Sequence, residues 1–292
     1  MSRSTQSIAA NGFFARAETL LARLEQLLPQ PAQETDWDAV AFRWRRRRDG
    51  GGELQAVRCP HNIQLQDLHG VAEQKKCIDR NTHQFVAGRP ANNVLLTGAR
   101  GTGKSSLVKA MLAKYAAKGL RLIEIDKHHL LDLPDIVALI ERRAERFILF
   151  CDDLSFDAGE PGYQALKAAL DGSIASPSDN LLIYATSNRR HLMPEYMAEN
   201  LETRHADGEV HPGEAVEEKV SLSERFGLWL SFYPFSQDEY LEITACWLKK
   251  LKAPNIDSAE VKRAALQWAL ARGSRSGRTA WQFARDWAGS HC

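Results

Sequence analysis

The residues best suited to chemistry begin at Gly98. Gly98-Ala-Arg-Gly-Thr-Gly-Lys-Ser105 satisfies the P-loop pattern G-x-x-x-x-G-K-[ST]. Glycines at these positions let a loop curl with its backbone N–H groups inward, which suits it to wrapping phosphate oxygens. An apolar run, Val94-Leu-Leu96, precedes the loop, and a helical pattern follows it. A helix that starts there adds a partial positive charge at the same point. Lys104 is then placed to reach β- and γ-phosphate oxygens, and the Ser105 hydroxyl to ligate Mg²⁺. The expected nucleotide-contacting set is Gly98, Ala99, Arg100, Gly101, Thr102, Gly103, Lys104, Ser105 and Ser106.

Two further strand ends carry matching polar groups. Phe147-Ile-Leu-Phe-Cys-Asp-Asp153 is an apolar run that ends in two carboxylates, the Walker B arrangement. Asp152 is expected to hold the Mg²⁺ shell, and Asp153 to act as the base that orients an attacking water. Leu181-Leu-Ile-Tyr-Ala-Thr-Ser-Asn188 delivers Thr186, Ser187 and Asn188 at the end of another apolar run. Asn188 could hydrogen-bond a γ-phosphate or the attacking water; the plainer alternative is a helix or turn cap. The expected ligands are ATP or ADP with Mg²⁺.

Placing these groups together requires a particular framework. From Asn93 onward, short apolar runs alternate with helical stretches. The runs are Asn93–Thr97, Leu120–Asp126, Phe147–Asp152, Leu181–Thr186 and Leu228–Tyr233. Most are continuous rather than alternating, as in strands buried on both faces of a parallel sheet. The helical stretches are Ser105–Lys118, Leu133–Arg146 and Gly162–Leu170. The pattern predicts an α/β P-loop domain built on a parallel five-stranded sheet flanked by helices. Beyond Phe235 the strands stop. Three amphipathic helices are predicted near 237–251, 258–271 and 278–288, with Trp247, Trp268, Trp281 and Trp287 in the core of a small lid. Ahead of the sheet, residues 12–28 read as an amphipathic helix ended by Pro29 and Pro31. Residues 40–59 read as a hairpin in which Val40, Phe42 and Trp44 alternate with polar neighbours. The run Arg45–Arg48 beside its turn reads first as a solvated loop and second as a phosphate-backbone contact. Residues 202–220 read as a long loop. The expected organisation is an extension over 1–62, a nucleotide-binding core over 63–235 and a helical lid over 236–292.

Composition narrows the function classes. The 292 residues are 44% hydrophobic and 26% charged, with a net charge of +1. Bulk charge therefore gives no push toward nucleic acid or acidic membrane. No apolar run approaches the roughly 18 residues of a membrane span, and the first residues lack a secretory pattern. A cytoplasmic protein is expected. Cys59, Cys77, Cys151, Cys246 and Cys292 are scattered, which fits reduced thiols. The histidines show no zinc-ligand spacing.

These elements, in this order, resemble the AAA+ ATPases from Ile63 to Ala288. The resemblance implies several roles. Leu65–Val71 would lie beside the adenine, and Asn188 would be sensor 1. Arg225, in Ser221-Leu-Ser-Glu-Arg-Phe-Gly227, would be the arginine finger that reaches a neighbouring subunit's γ-phosphate, so a homo-oligomer is implied. Within Gly273-Ser-Arg-Ser-Gly-Arg278, Arg275 would be sensor 2, with Arg278 as second choice. More narrowly, the chain is similar to a bacterial AAA+-like family known as domain of unknown function 815. The stretches AFRWR, ANNVLLTGARGTGKSSLVKA, RLIEIDK, RFILFCDDLSF, YATSNRRHLMPEYM, HPGEAVEEKVSLSERFGLWLSFYPF and SGRTAWQFA carry that similarity. AAA+ ATPases usually have Glu where this chain has Asp153. The carboxylate would sit about 1 Å back, which costs on the order of 100-fold in rate. Slow hydrolysis, or a nucleotide-dependent switch acting on a macromolecular partner, is therefore expected. A poorly hydrolysing ATP- and DNA-binding accessory module is the alternative. Lys127–Pro134 carries no Phe, Tyr, Trp or Gly, which argues against a peptide-threading pore.

Overall fold

The computed structural model describes residues 34–47, 50–60, 63–156, 160–171, 179–189 and 222–291, with Glu18, Leu192 and the backbone of 204–206 and 209–211. Apart from Glu18, the helix expected over 12–28 lies outside the described residues.

The strands are β1 (Ala41–Arg46), β2 (Gly52–Ala56), β3 (Val94–Gly98), β4 (Leu120–Ile125), β5 (Arg146–Cys151), β6 (Leu181–Ser187), β7 (Arg204–Ala206), β8 (Glu209–His211) and β9 (Leu228–Phe232). The helices are α1 (Ala72–Val86), α2 (Lys104–Tyr115), α3 (Leu133–Ile140), α4 (Pro161–Asp171), α5 (Gln237–Lys250), α6 (Ala259–Ala271) and α7 (Gly277–His291). The main sheet runs β2-β1-β4-β5-β6-β3-β9. Every pairing in it is parallel except that of β1 with β2.

The five parallel strands expected from the sequence form the contiguous block β4-β5-β6-β3-β9, with β3 between β6 and the edge strand β9. The sheet itself has seven strands, not five. The hairpin joins the main sheet: β1 adds in parallel to the edge of β4, with Phe42 opposite Ile123. This outcome follows from the alternation within β1. Phe42 and Trp44 are buried while Arg43 and Arg45 are exposed, so one face of the hairpin needs a core to cover it. That core lies under α3. The Trp44 Nε1–H donates to buried Asp132 at 2.9 Å, and Arg46 pairs with the same carboxylate at 3.2 Å. The arginine run therefore begins inside a strand rather than a solvated loop.

Apolar side chains pack on both faces of the sheet. Leu96, Phe150 and Tyr184 face α1, α2 and the lid. Leu95, Leu149 and Ile183 face α3 and α4. Continuous apolar runs are thus explained by burial on both sides. The helix expected to reach Arg146 stops at Ile140, and Arg146 opens β5. Part of the expected 202–220 loop is an antiparallel pair, β7 with β8; strands of three residues leave too short a pattern to read. The lid helices begin on serine caps. The Ser236 hydroxyl accepts from Glu239 N–H while Glu239 accepts from Ser236 N–H, and Ser258 caps α6. Among the described residues no helix is long and apolar enough to cross a membrane.

Asp132 joins the hairpin to the segment that follows β4. Replacing Asp132 by Ala leaves the Trp44 indole N–H buried without its acceptor. The expected loss is about 1–3 kcal/mol, measured as a shift in the urea unfolding midpoint. An unchanged midpoint would contradict this role.

Candidate active site

The loop after β3 holds a shape that few residues other than glycine adopt. Gly98, Gly101 and Gly103 all have positive φ, at 121°, 74° and 98°. A Cβ on Gly98 would lie 1.9 Å from the Phe232 carbonyl oxygen on β9, and one on Gly101 would lie 2.8 Å from Ser276 Oγ. Tight packing against two neighbours therefore adds to the φ requirement. The Thr102 hydroxyl donates to the Ala99 carbonyl at 2.8 Å and ties the loop across its own turn. Gly277 N–H donates to the Gly101 carbonyl at 2.9 Å, so the start of α7 clips the lid onto the loop.

Lys104 opens α2 and points back into the loop. Its ammonium donates to the carbonyls of Gly98 (2.8 Å) and Ala99 (2.7 Å) and to Asn188 Oδ1 (3.0 Å). Burial lowers its pKa below the usual lysine value, while Asp153 and Asp152 oppose that shift. Ser105 Oγ donates to Asp152 Oδ1 at 2.6 Å. The Asn188 side-chain amide donates to Asp153 Oδ1. Thr186 Oγ1 donates to Asp152 Oδ1 at 2.6 Å and accepts from Asp153 N–H at 2.9 Å. Cys151, just before the acids, is buried, and its thiol is pushed up to about 12 by that burial. It is inert at neutral pH.

A cleft of about 900 Å³ opens over these groups. Its lining contains Arg100 to Ser106, Asp152, Asp153, Thr186, Asn188 and Arg278. Gly98 and Ala99 contribute at the loop base through the carbonyls that hold Lys104. Arg275 is exposed and lies outside the lining, so the structure brings Arg278 rather than Arg275 to the cleft. Trp247 and Trp281, expected only as lid core, also line it, with ring centroids 4.6 Å apart. Leu68 and His69 line it too. Lys75 Nζ, donating to the Leu65 and Leu68 carbonyls, fixes that segment to α1. Lys250 on the lid pairs with Asp67 at 2.7 Å. Burial works against the Asp67 charge, but the Lys250 and Gln64 N–H hydrogen bonds hold its pKa below the usual range. No local pattern signals that pair, because its members lie on different units of the chain.

Arg225 is elsewhere. It pairs with Asp171 at the C-terminal end of α4. It precedes β9, so it sits where the parallel strands begin, whereas the P-loop sits where β3 ends. Thr186, read from the sequence only as one of three polar residues at the end of β6, contacts both acids. Its signal was its place two residues before Asn188 on one strand, which puts both side chains on the same face.

The family profile described as "Protein of unknown function (DUF815)" matches residues 37–291. The chain belongs to the DUF815 family. Among solved structures, this DUF815 chain is similar to a point mutant of RuvB from Thermotoga maritima. The TM-score is 0.50 at 18% identity, covering 76% of this chain and 64% of that one. It is also similar to the Orc1 protein of Aeropyrum pernix in complex with DNA. There the TM-score is 0.52 at 16% identity, covering 73% of this chain and 58% of that one. At these identities the likeness speaks to the fold, which is of the AAA+ type. The chain spans less than two thirds of the length of either structure. No curated protein sequence matches it. The four described cysteines of this DUF815 chain, Cys59, Cys77, Cys151 and Cys246, are free, and the described residues contain no metal-binding cluster of His, Cys, Asp and Glu.

Gly98→Ala combines left-handed strain with overlap on β9. The expected cost is about 2–4 kcal/mol, read from chemical denaturation. A variant as stable as the wild type would contradict this loop geometry.

Proposed function

We propose that this chain binds ATP with Mg²⁺ in the cleft between the P-loop and the lid, hydrolyses it slowly, and uses the cycle to switch its shape against a macromolecular partner. The observation that carries this reading is the convergence of Lys104, Ser105, Asp152, Asp153 and Asn188 at the end of one sheet, each joined to another by hydrogen bonds. The glycine loop would offer backbone N–H groups to the β- and γ-phosphates, and Lys104 would exchange its carbonyl partners for phosphate oxygens. Arg278 would add a second cation from the lid.

Ser105 and Asp152 fit a magnesium ion: a hydroxyl and a carboxylate in contact are hard oxygen donors. Bound there, Mg²⁺ would neutralise charge on the transferring phosphoryl group. Asp153 would take a proton from the attacking water, and Asn188 holds its carboxylate in place. Asp153 is an aspartate where the AAA+ pattern has glutamate, so turnover is slow. Trp247 and Trp281 would meet the base beside Leu68 and His69.

Arg225 cannot serve this cleft from within the same chain, since it lies toward the opposite end of the strands. It would act on a neighbouring copy, which makes the active form a homo-oligomer. Residues 63–235 would form the core and 236–292 the lid that moves with nucleotide. Residues 1–62 would be an extension whose hairpin completes the sheet edge. Free thiols suit a reducing, cytoplasmic setting.

Steady-state ATP turnover tests the reading. Wild-type protein should hydrolyse ATP below tens per second. Arg225→Ala should keep ATP affinity and lower turnover by about 10³-fold. Normal turnover in that variant would remove the finger from the account.

A further inference from the structure

Strand β6 does more than bring Asn188 to the cleft. Its register with β5 puts Cys151 opposite Ala185. The next residues along the two parallel strands are Asp152 and Thr186, so their side chains emerge as neighbours. Thr186 is buried, with 2% of its surface exposed. Its hydroxyl carries one proton and two lone pairs. The proton goes to Asp152 Oδ1, and one lone pair receives the Asp153 N–H.

The chain turns sharply between those two acids. Asp153 has φ 53°, and only two other described non-glycine residues, Lys252 and Asn255, have positive φ. That region is unfavourable for a residue with a Cβ, though Asp tolerates it better than most. The hydrogen bond from Asp153 N–H to Thr186 secures this peptide in that orientation. Asp152 Oδ1 accepts from both Ser105 and Thr186. Among the described residues, Asp152 Oδ2 then has no protein donor and would be open toward a bound Mg²⁺.

We propose that Thr186 is a positioning residue that holds Asp152 and Asp153 in their working geometry through one hydroxyl. This rests on the ATP and Mg²⁺ reading above. Asn188, two residues on along the same strand face, restrains the Asp153 carboxylate while Thr186 restrains its backbone. One strand end therefore sets both acids, and a shift of β6 would move them together. The left-handed turn also gives the shorter Asp153 side chain a fixed origin.

Thr186→Val keeps the shape of the side chain and removes the hydroxyl. Thr186→Ser keeps the hydroxyl and removes the methyl. Both are compared with wild type by thermal unfolding, by kcat and KM for ATP, and by Mg²⁺ titration of the rate. Thr186→Val should lower kcat by about 10- to 100-fold, the scale set by misplacement near 1 Å, with KM for ATP little changed. It should also need several-fold more Mg²⁺ for half-maximal rate, while Thr186→Ser keeps most of the wild-type kcat. Wild-type kcat and Mg²⁺ dependence in Thr186→Val would overturn the inference. So would equal losses of rate and unfolding temperature in both variants, which would assign Thr186 to packing. A wild-type protein that binds ATP but does not hydrolyse it would remove the hydrolase reading alone. The gain in ATP affinity on adding Mg²⁺ is then the readout for Thr186. That gain should shrink several-fold in Thr186→Val, and an equal gain would overturn its positioning role.

Discussion

An ammonium taken out of water needs an acceptor for each of its three protons. Lys104, buried at the mouth of the glycine loop, has three: the carbonyls of Gly98 and Ala99 and the Asn188 side-chain oxygen. The protein alone thus saturates the charge that a phosphate would otherwise meet. Any phosphate oxygen that takes a Lys104 proton displaces one of those acceptors. Asn188 is the acceptor with a second tie, because its amide also restrains Asp153. Under the reading proposed above, phosphate entry and the state of the acid are therefore linked through a single side chain.

The remainder of the fold brings those few atoms together. β3 lies between β6 and β9, so the loop it feeds is bordered by β6 on one side and by Phe232 on the other. The carbonyl of Phe232 accepts from Ala99 N–H at 3.0 Å. That contact leaves no room for a side chain on Gly98. The helices after β9 meet the same region, through Gly277 on Gly101 and Lys250 on Asp67. An ion pair at partly exposed positions contributes little to stability by itself. Its value here is location, since both of its residues line the cleft.

Much of this was legible in the sequence, for physical reasons. The glycine loop reads clearly because its backbone demands are local. The five parallel strands read clearly because burial on both faces removes polar alternation. The lid helices read clearly because their apolar residues recur at helical spacing. What escaped depends on pairing across the chain. The joining of β1 to β4 is a parallel, long-range contact, and its alternation marked a hairpin without saying what covered it. Thr186 looked like one polar residue among three. Only the register of β5 against β6 makes it the neighbour of Asp152. The choice between Arg275 and Arg278 turned on where α7 begins, and a one-turn difference there decides which side chain faces the cleft.

The central claim is that Lys104 and its loop bind the phosphates of ATP. Ligand linkage makes that claim measurable as thermal stabilisation by Mg²⁺ and ATP, worth about 2.7 kcal/mol at a hundredfold excess over Kd. The decisive comparison is wild type against Lys104→Ala, each with and without nucleotide. A nucleotide-dependent rise in unfolding temperature is predicted for the wild type and none for Lys104→Ala. An equal rise in both proteins would contradict it.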